Sequence, residues 1–171
     1  TFSSLTSLHL QAAILIPDPP KIEATAYVLM DAKTGKVITA YNADEQVPPA
    51  SLTKMMTSYI TTHEIEKGNI SESDKTQISI KAWKAEGSRM FIKEGTYVSV
   101  IDLLKGVIIQ SGNDASIALA EYVAGDEDAF ADLMNRYALE LGMENTHFKN
   151  ATGLPHSEHL TTANDLAKLA R

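Results

Sequence analysis

The sequence contains no cysteine, and its 171 residues carry a formal net charge of -7. The absence of cysteine excludes disulfide bonds, thiol catalysis and cysteine-ligated metal sites. The acidic balance argues against nucleic acid as a partner, because binding to phosphates requires a basic face. No apolar run is long enough to span a membrane, and no internal repeat occurs. With 44% hydrophobic and 22% charged residues, the composition is typical of a globular chain that buries a core of its own.

Sequence marks of several other catalytic sites are also missing. There is neither a G-x-S-x-G elbow for a serine–histidine triad nor a glycine-rich phosphate loop. His156 and His159 lie three residues apart with Glu158 between them, but they follow Pro155 and lack a third ligand of clear spacing. We therefore expect a surface loop at these histidines, and neither a metal nor a cofactor in the protein.

A serine and a lysine lie three residues apart at the start of an apolar helical pattern. Ser51 and Lys54 would share one face of this helix, since residues three apart are neighbours. The apolar residues of a different, core-facing stripe are Leu52, Met55, Met56, Tyr59 and Ile60. A serine becomes nucleophilic when a neighbouring base takes its proton, and the first turn of a helix offers unpaired N–H groups to developing negative charge. The pair therefore predicts acyl transfer, with a capping serine and a solvated lysine as the alternative interpretation.

Lys54 meets this role only if its pKa is lowered. An unperturbed lysine titrates near ~10.4 and must reach roughly 7 to act as a base at neutral pH, a change of about 4 to 5 kcal/mol. Burial against the core or a second cation in the cleft would supply it.

A second polar element lies further along the chain, inside an apolar region. Ser99 and Asp102 have the spacing of a capping box, and an apolar helical run follows them. Ser111-Gly112-Asn113 then interrupts the run before a helical pattern resumes. A surface turn is the simpler interpretation, because all three residues favour turns. The apolar flanks instead favour polar side chains held between two buried helices, so we expect Ser111 and Asn113 to reach the cleft of the serine–lysine pair.

These segments resemble the low-molecular-weight penicillin-binding proteins, specifically the serine D-alanyl-D-alanine carboxypeptidases. The similarity covers most of the chain from about Ile22 to Arg171. The strings that carry it are Pro49-Ala50-Ser51-Leu52-Thr53-Lys54-Met55-Met56-Thr57, residues 104–115, Ala43-Asp44, Gly87-Ser88-Arg89-Met90-Phe91, Asn145-Thr146-His147-Phe148 and Thr152-Gly153-Leu154. The pattern of S-x-x-K, a serine-containing triplet and K-T-G is shared by these proteins and class A β-lactamases.

The resemblance implies an α+β (mixed α/β) fold of the β-lactamase/DD-peptidase-like transpeptidase type, with helices packed on an antiparallel sheet. We expect residues 21–171 to be an incomplete DD-peptidase catalytic domain that is truncated at the C-terminus. Residues 1–20 are expected to be a signal-peptide remnant or a flexible segment, because 5–13 resembles the tail of a secretory signal. The resemblance also implies a periplasmic or cell-envelope location and membrane association through a C-terminal segment absent here.

The third motif of the family, K-T-G, does not follow Asn113 in this sequence. Lys33-Thr34-Gly35 precedes Ser51 and lies between two strand-like runs, 25–30 and 37–41, so we interpret it as a hairpin turn. By resemblance, the missing strand carries one oxyanion donor. We therefore expect residues 1–171 alone to turn over substrate poorly or not at all.

The resemblance also assigns roles to the four site residues. Ser51 would attack the penultimate D-alanine of a peptidoglycan stem peptide that ends in D-Ala-D-Ala, and Lys54 would take its proton. Ser111 would relay a proton to the departing nitrogen, while Asn113 would hydrogen-bond the substrate amide and Lys54. β-Lactam antibiotics mimic this peptide end and would acylate Ser51. No E-x-x-L-N segment follows Asn113, so carboxypeptidase ranks above D,D-endopeptidase and β-lactamase, and a non-catalytic cell-wall-binding relative is the remaining alternative.

Overall fold

The computed structural model describes residues 20–171, in which helices alternate with short antiparallel strand pairs. The strands are β1 (Tyr27–Met30), β2 (Val37–Tyr41), β3 (Lys75–Gln77) and β4 (Tyr97–Ser99). The helices are α1 (Thr53–Glu66), α2 (Ile80–Trp83), α3 (Val100–Gln110), α4 (Asn113–Ala124), α5 (Glu127–Glu140) and α6 (Ala163–Ala170), and a 3-10 turn (Ala50–Leu52) precedes α1. This mixture confirms the α+β prediction. The expected signal-peptide remnant lies outside the described residues, and none of the helices in residues 20–171 is long and apolar enough to cross a bilayer.

Strands β1 and β2 form an antiparallel hairpin in which Tyr27 pairs with Tyr41. Hydrogen bonds of Asp31 close the connecting turn: its carbonyl accepts from the Gly35 N–H at 2.8 Å, its side chain accepts from the Thr34 N–H at 2.7 Å, and its own N–H donates to the Lys36 carbonyl at 2.9 Å. Gly35 has a φ of 72°, a left-handed conformation that glycine adopts without a steric penalty. The prediction that the early K-T-G triplet is a hairpin turn is confirmed.

Helix α1 differs from the sequence expectation at both ends. Met56 and Ile60 are fully buried as predicted, but Leu52 is 53% exposed. The predicted stripe was wrong there, because Leu52 belongs to the 3-10 turn, whose three-residue period rotates its side chain away from the core. The polar residues 64–73 predict a loop from the sequence, but the helix continues to Glu66.

The predicted capping box at the start of α3 is confirmed. The Ser99 hydroxyl accepts from the Asp102 N–H at 3.3 Å and donates to the Asp102 carboxylate at 2.6 Å. A similar cap starts α2. The alternation of residues 77–80 predicts a short strand from the sequence, but Ser79 accepts a hydrogen bond from the Ala82 N–H at 3.0 Å and the helix begins at Ile80.

Helix α4 lies at the centre of the molecule, in contact with α1, α2, α3 and α5. Two buried apolar clusters meet on it. One cluster contains Ile78, Ala82, Val100, Leu103, Leu104, Val107, Ala115, Ile117, Ala118 and Leu119, together with Ala85 and Ile92. The other contains Met56, Ile60, Ala120, Phe130, Met134, Tyr137, Ala138, Met143, Phe148 and Ala151. Packing on α4 therefore fixes the turn before this helix relative to the start of α1.

A buried carboxylate joins the start of α4 to the loop before β4. Asp114 is 0% exposed, and its side chain accepts from the N–H groups of Met90 at 3.0 Å, Ile92 at 3.2 Å and Ala115 at 2.9 Å. Three N–H donors can hold a carboxylate away from water because charge-assisted hydrogen bonds are strong.

We expect Asp114→Ala to lower the free energy of unfolding by about 3 kcal/mol, because it leaves two loop N–H groups without an acceptor. Asp102→Ala is the matched control: its side chain is exposed, and we expect a loss of about 1 kcal/mol or less. Urea denaturation of the full-length protein would measure both values. Equal losses for the two variants would contradict this account of Asp114.

Candidate active site

The predicted serine and lysine are in hydrogen-bond contact at the start of α1. Lys54 Nζ lies 3.3 Å from Ser51 Oγ and donates to the Thr152 carbonyl at 2.7 Å. Ser51 is exposed in the 3-10 turn, whereas Lys54 in the first turn of α1 is only 5% exposed. This geometry places a buried amine against an accessible hydroxyl, which is the arrangement that nucleophile activation requires.

An open cavity of about 310 Å³ contains this pair together with Ser111. Its lining residues are Ser51, Leu52, Lys54, Met55, Ser58, Val107, Ile108 and Ser111. The structure therefore brings together three of the four residues singled out in the sequence. The apolar side chains among the lining residues reduce the local dielectric, which strengthens electrostatic interactions with a bound ligand.

Asn113 does not line this cavity. Its side-chain amide donates to the Glu86 carbonyl at 2.6 Å, and its N–H donates to the Ser88 carbonyl at 2.7 Å. The predicted hydrogen bond from Asn113 to Lys54 is not formed in the structure, because the Asn113 side chain holds the 86–88 loop instead. A contact between Asn113 and a substrate stays a prediction.

Burial lowers the pKa of Lys54 from its ordinary value of 10.5 to about 8. The cause is desolvation, which disfavours the ammonium form. The sequence suggested two ways to lower this pKa, burial against the core or a second cation in the cleft, and burial is the cause in the structure. With this pKa, about a tenth of the lysine is the neutral amine at pH 7.

The loop that supplies the Thr152 carbonyl was missed in the sequence. The Asn150 side chain accepts from the Thr152 N–H at 3.1 Å and from the Gly153 N–H at 2.7 Å, which folds the loop into a tight turn. Thr57 of α1 donates to the Ala151 carbonyl at 2.8 Å. Asn150 and Gly153, three residues apart, are residue types that favour a turn, but the sequence carries no signal for where that turn packs.

The residue before Ser51 has an unusual backbone conformation. Ala50 has a φ of 47°, in the left-handed region that costs a residue with a side chain about 1 to 2 kcal/mol. Gly153 packs directly against it, and a Cβ at position 153 would overlap the Ala50 carbonyl. Among residues 20–171, the Ser51 N–H has no hydrogen-bond acceptor, so it is free to bind an oxyanion.

The two histidines that were expected on a surface loop have different environments. His156 is exposed as expected, but His159 is 2% exposed, so the prediction was wrong for that residue. The sequence did not reveal this burial, because the hydrogen-bond partner of His159 is Thr53, 106 residues earlier in the chain. In the structure, Thr53 Oγ1 lies 2.7 Å from His159 Nε2. Within the described part of the chain, no cluster of three His, Asp or Glu side chains has a metal-binding arrangement.

Comparison with known proteins identifies the family. Residues 14–171 match the model of the D-alanyl-D-alanine carboxypeptidase family, peptidase family S11. The chain belongs to this family. It is 46% identical to D-alanyl-D-alanine carboxypeptidase DacC of Escherichia coli K12 over 90% of the chain and 40% of that relative.

Two solved structures of family members have the same fold. D-alanyl-D-alanine carboxypeptidase DacD from Francisella tularensis is 49% identical with a TM-score of 0.89, over 94% of this chain and 39% of that chain. Penicillin binding protein 6B from Escherichia coli is 43% identical with a TM-score of 0.86, over 90% of this chain and 50% of that chain. The chain spans less than half the length of curated D-alanyl-D-alanine carboxypeptidases that it matches, such as DacC. These likenesses confirm the predicted transpeptidase-type fold.

The lowered pKa of Lys54 predicts the pH dependence of acylation. Only the neutral amine accepts the serine proton, so the acylation rate should rise about tenfold from pH 7 to pH 9 with a midpoint near the pKa of about 8. Single-turnover acylation of the full-length protein by a penicillin would measure this profile. A rate that is flat or falls over this range would contradict the assignment of Lys54 as the base.

Gly153→Ala tests the close approach between the 150–154 loop and the 3-10 turn that contains Ser51. The added Cβ forces the Ala50 carbonyl and Gly153 apart, which should lower the free energy of unfolding by about 2 kcal/mol or more and slow acylation at Ser51. Thermal unfolding and labelling rates would be measured together. Gly68→Ala is the control, because a Cβ there meets no atom within 4 Å although its φ is also positive, at 75°. Equal effects at both glycines would show that backbone strain alone is responsible.

Proposed function

We propose that the full-length protein is a serine D-alanyl-D-alanine carboxypeptidase that removes the terminal D-alanine from peptidoglycan stem peptides. The observation that carries this proposal is the buried Lys54 amine 3.3 Å from Ser51 Oγ in a cavity shared with Ser111. The names of the relatives agree with it. Residues 21–171 would then form the first part of the catalytic domain.

In this proposal the neutral Lys54 amine takes the Ser51 proton as the serine oxygen attacks the peptide carbonyl. The Ser51 N–H, which has no acceptor among the described residues, stabilises the oxyanion that forms. Lys54 passes this proton through Ser111 to the nitrogen of the departing D-alanine, so the amine is neutral again. A water molecule then attacks the acyl-enzyme, Lys54 takes a proton from this water, and the same proton goes to Ser51 Oγ as the ester bond breaks.

Substrate contacts and location are part of the same proposal. Asn113 would contact the substrate amide through its side-chain oxygen or its second N–H, because the bond from Nδ2 to the Glu86 carbonyl at 2.6 Å uses only one of the amide donors. β-Lactam antibiotics would acylate Ser51 as covalent inhibitors. The protein would work in the periplasm or cell envelope after secretion through a signal peptide, with membrane association through a C-terminal segment.

Two assays on the full-length protein test this function. A fluorescent penicillin should label the wild-type protein covalently, and a peptide ending in D-Ala-D-Ala should release free D-alanine. Ser51→Ala should abolish both signals, since it removes the nucleophile. Ser73→Ala, at an exposed serine of the α1–β3 loop, should change neither.

The outcomes separate the alternatives. Absence of label on folded wild-type protein would indicate a non-catalytic cell-wall-binding relative. Rapid loss of the label with turnover of the antibiotic would indicate a β-lactamase. Cleavage of cross-linked dimers without release of terminal D-alanine would indicate a D,D-endopeptidase.

A further inference from the structure

Two polar side chains are buried together behind the 3-10 turn Ala50–Leu52, which carries the proposed nucleophile Ser51 and is called the nucleophile turn below. Thr53 is 0% exposed and His159 is 2% exposed, and Thr53 Oγ1 lies 2.7 Å from His159 Nε2. Thr53 lies between Ser51 and Lys54 in the chain, while His159 comes from the loop that follows α5. A buried polar contact of this kind fixes geometry, because its loss leaves both groups without a partner.

The hydrogen bonds of His159 define its tautomer. The Lys149 N–H donates to Nδ1 at 3.0 Å, so Nδ1 carries no proton and Nε2 donates to the Thr53 hydroxyl. The Phe148 ring packs edge-on at 5.7 Å from the imidazole. Burial and the positive potential of His156 and His147 lower the pKa of His159 to about 4, so the ring is neutral above that pH.

The segment 149–159 also makes the other contacts that hold the nucleophile turn. Its Thr152 carbonyl accepts from Lys54 Nζ at 2.7 Å, and Gly153 packs against Ala50. His159, at the C-terminal end of this segment, hydrogen-bonds Thr53 in the same first turn of α1.

We propose that His159 is a positioning residue for acylation: through Thr53 it holds the 149–159 segment against the start of α1 and so keeps Lys54 Nζ in reach of Ser51 Oγ. The proposal rests on the proposed function. It assigns His159 no contact with the substrate or the reacting atoms.

Thr53→Val is the sharpest test, because it removes the hydroxyl and keeps the shape of the side chain. We expect the acylation rate constant of the full-length protein with a fluorescent penicillin to fall about ten- to a hundredfold, since misplacement by an ångström has effects of that size. The midpoint of the pH profile should move above the value near 8, as the lysine amine becomes more solvated. Thr53→Ser keeps the hydroxyl and should restore most of the rate.

Thr61→Val is the matched control. Thr61 is also 0% exposed on α1, but its hydroxyl donates to the Thr57 carbonyl within the helix at 2.8 Å. Its acylation rate and pH midpoint should equal those of the wild type, even where the melting temperature falls. His159→Gln, which keeps a side-chain N–H donor, should lie between wild type and Thr53→Val, and it replaces that variant if Thr53→Val does not fold.

Two results would overturn the proposal. Thr53→Val and His159→Gln that acylate within twofold of wild type at an unchanged pH midpoint would show that the buried bond has no role in the site. An equal loss in Thr61→Val would show a general effect of helix destabilisation. In both cases the wild-type label leaves the proposed function intact, whereas a wild-type protein that takes no label would contradict the function itself.

Discussion

The site depends on one buried amine held between two oxygens. Lys54 Nζ contacts Ser51 Oγ at 3.3 Å and the Thr152 carbonyl at 2.7 Å, and the side chain is 5% exposed. Lowering the lysine pKa from 10.5 to about 8 corresponds to about 3 kcal/mol of lost ammonium solvation. The fold must supply this energy, because a lysine that is free to move would turn towards water. The packing around the first turn of α1 keeps the Lys54 side chain buried and so offsets this loss of solvation.

Several contacts on one side of α1 hold Lys54 in its buried position. The 149–159 segment binds α1 at Lys54, at Thr57 and at Thr53, and Gly153 lies against Ala50. On the other side, α4 packs on α1 and carries the turn that delivers Ser111. The cleft is therefore formed where two parts of the core meet, and neither part alone defines it. Such a site is rigid because its side chains lie on packed elements, which preorganises the groups that must react.

How far the sequence predicts this arrangement depends on the kind of signal each residue carries. Ser51 and Lys54 were found because helical spacing is local, and Ser111 because a polar turn between apolar helices is uncommon. The contacts of Asn113 and the burial of His159 were missed, because both depend on partners brought near by tertiary packing. The Thr152 carbonyl was also missed, since a backbone acceptor leaves no mark in residue types. The start of helix α3 was predicted correctly, because a capping box consists of two residues only three apart in the sequence, here Ser99 and Asp102.

The backbone strain at the two sides of the cleft supports a functional origin for the site. Ala50 and Ser111 have φ values of 47° and 53°, in the region where glycine would be less costly. Ser111 ends α3 at a position that glycine commonly occupies, yet it places a hydroxyl in the lining of the cavity. A glycine there would be relaxed but would remove the hydroxyl. Strain of this kind persists only where the surrounding structure determines it, so a serine at this strained position agrees with the proposed role of the Ser111 hydroxyl in proton transfer.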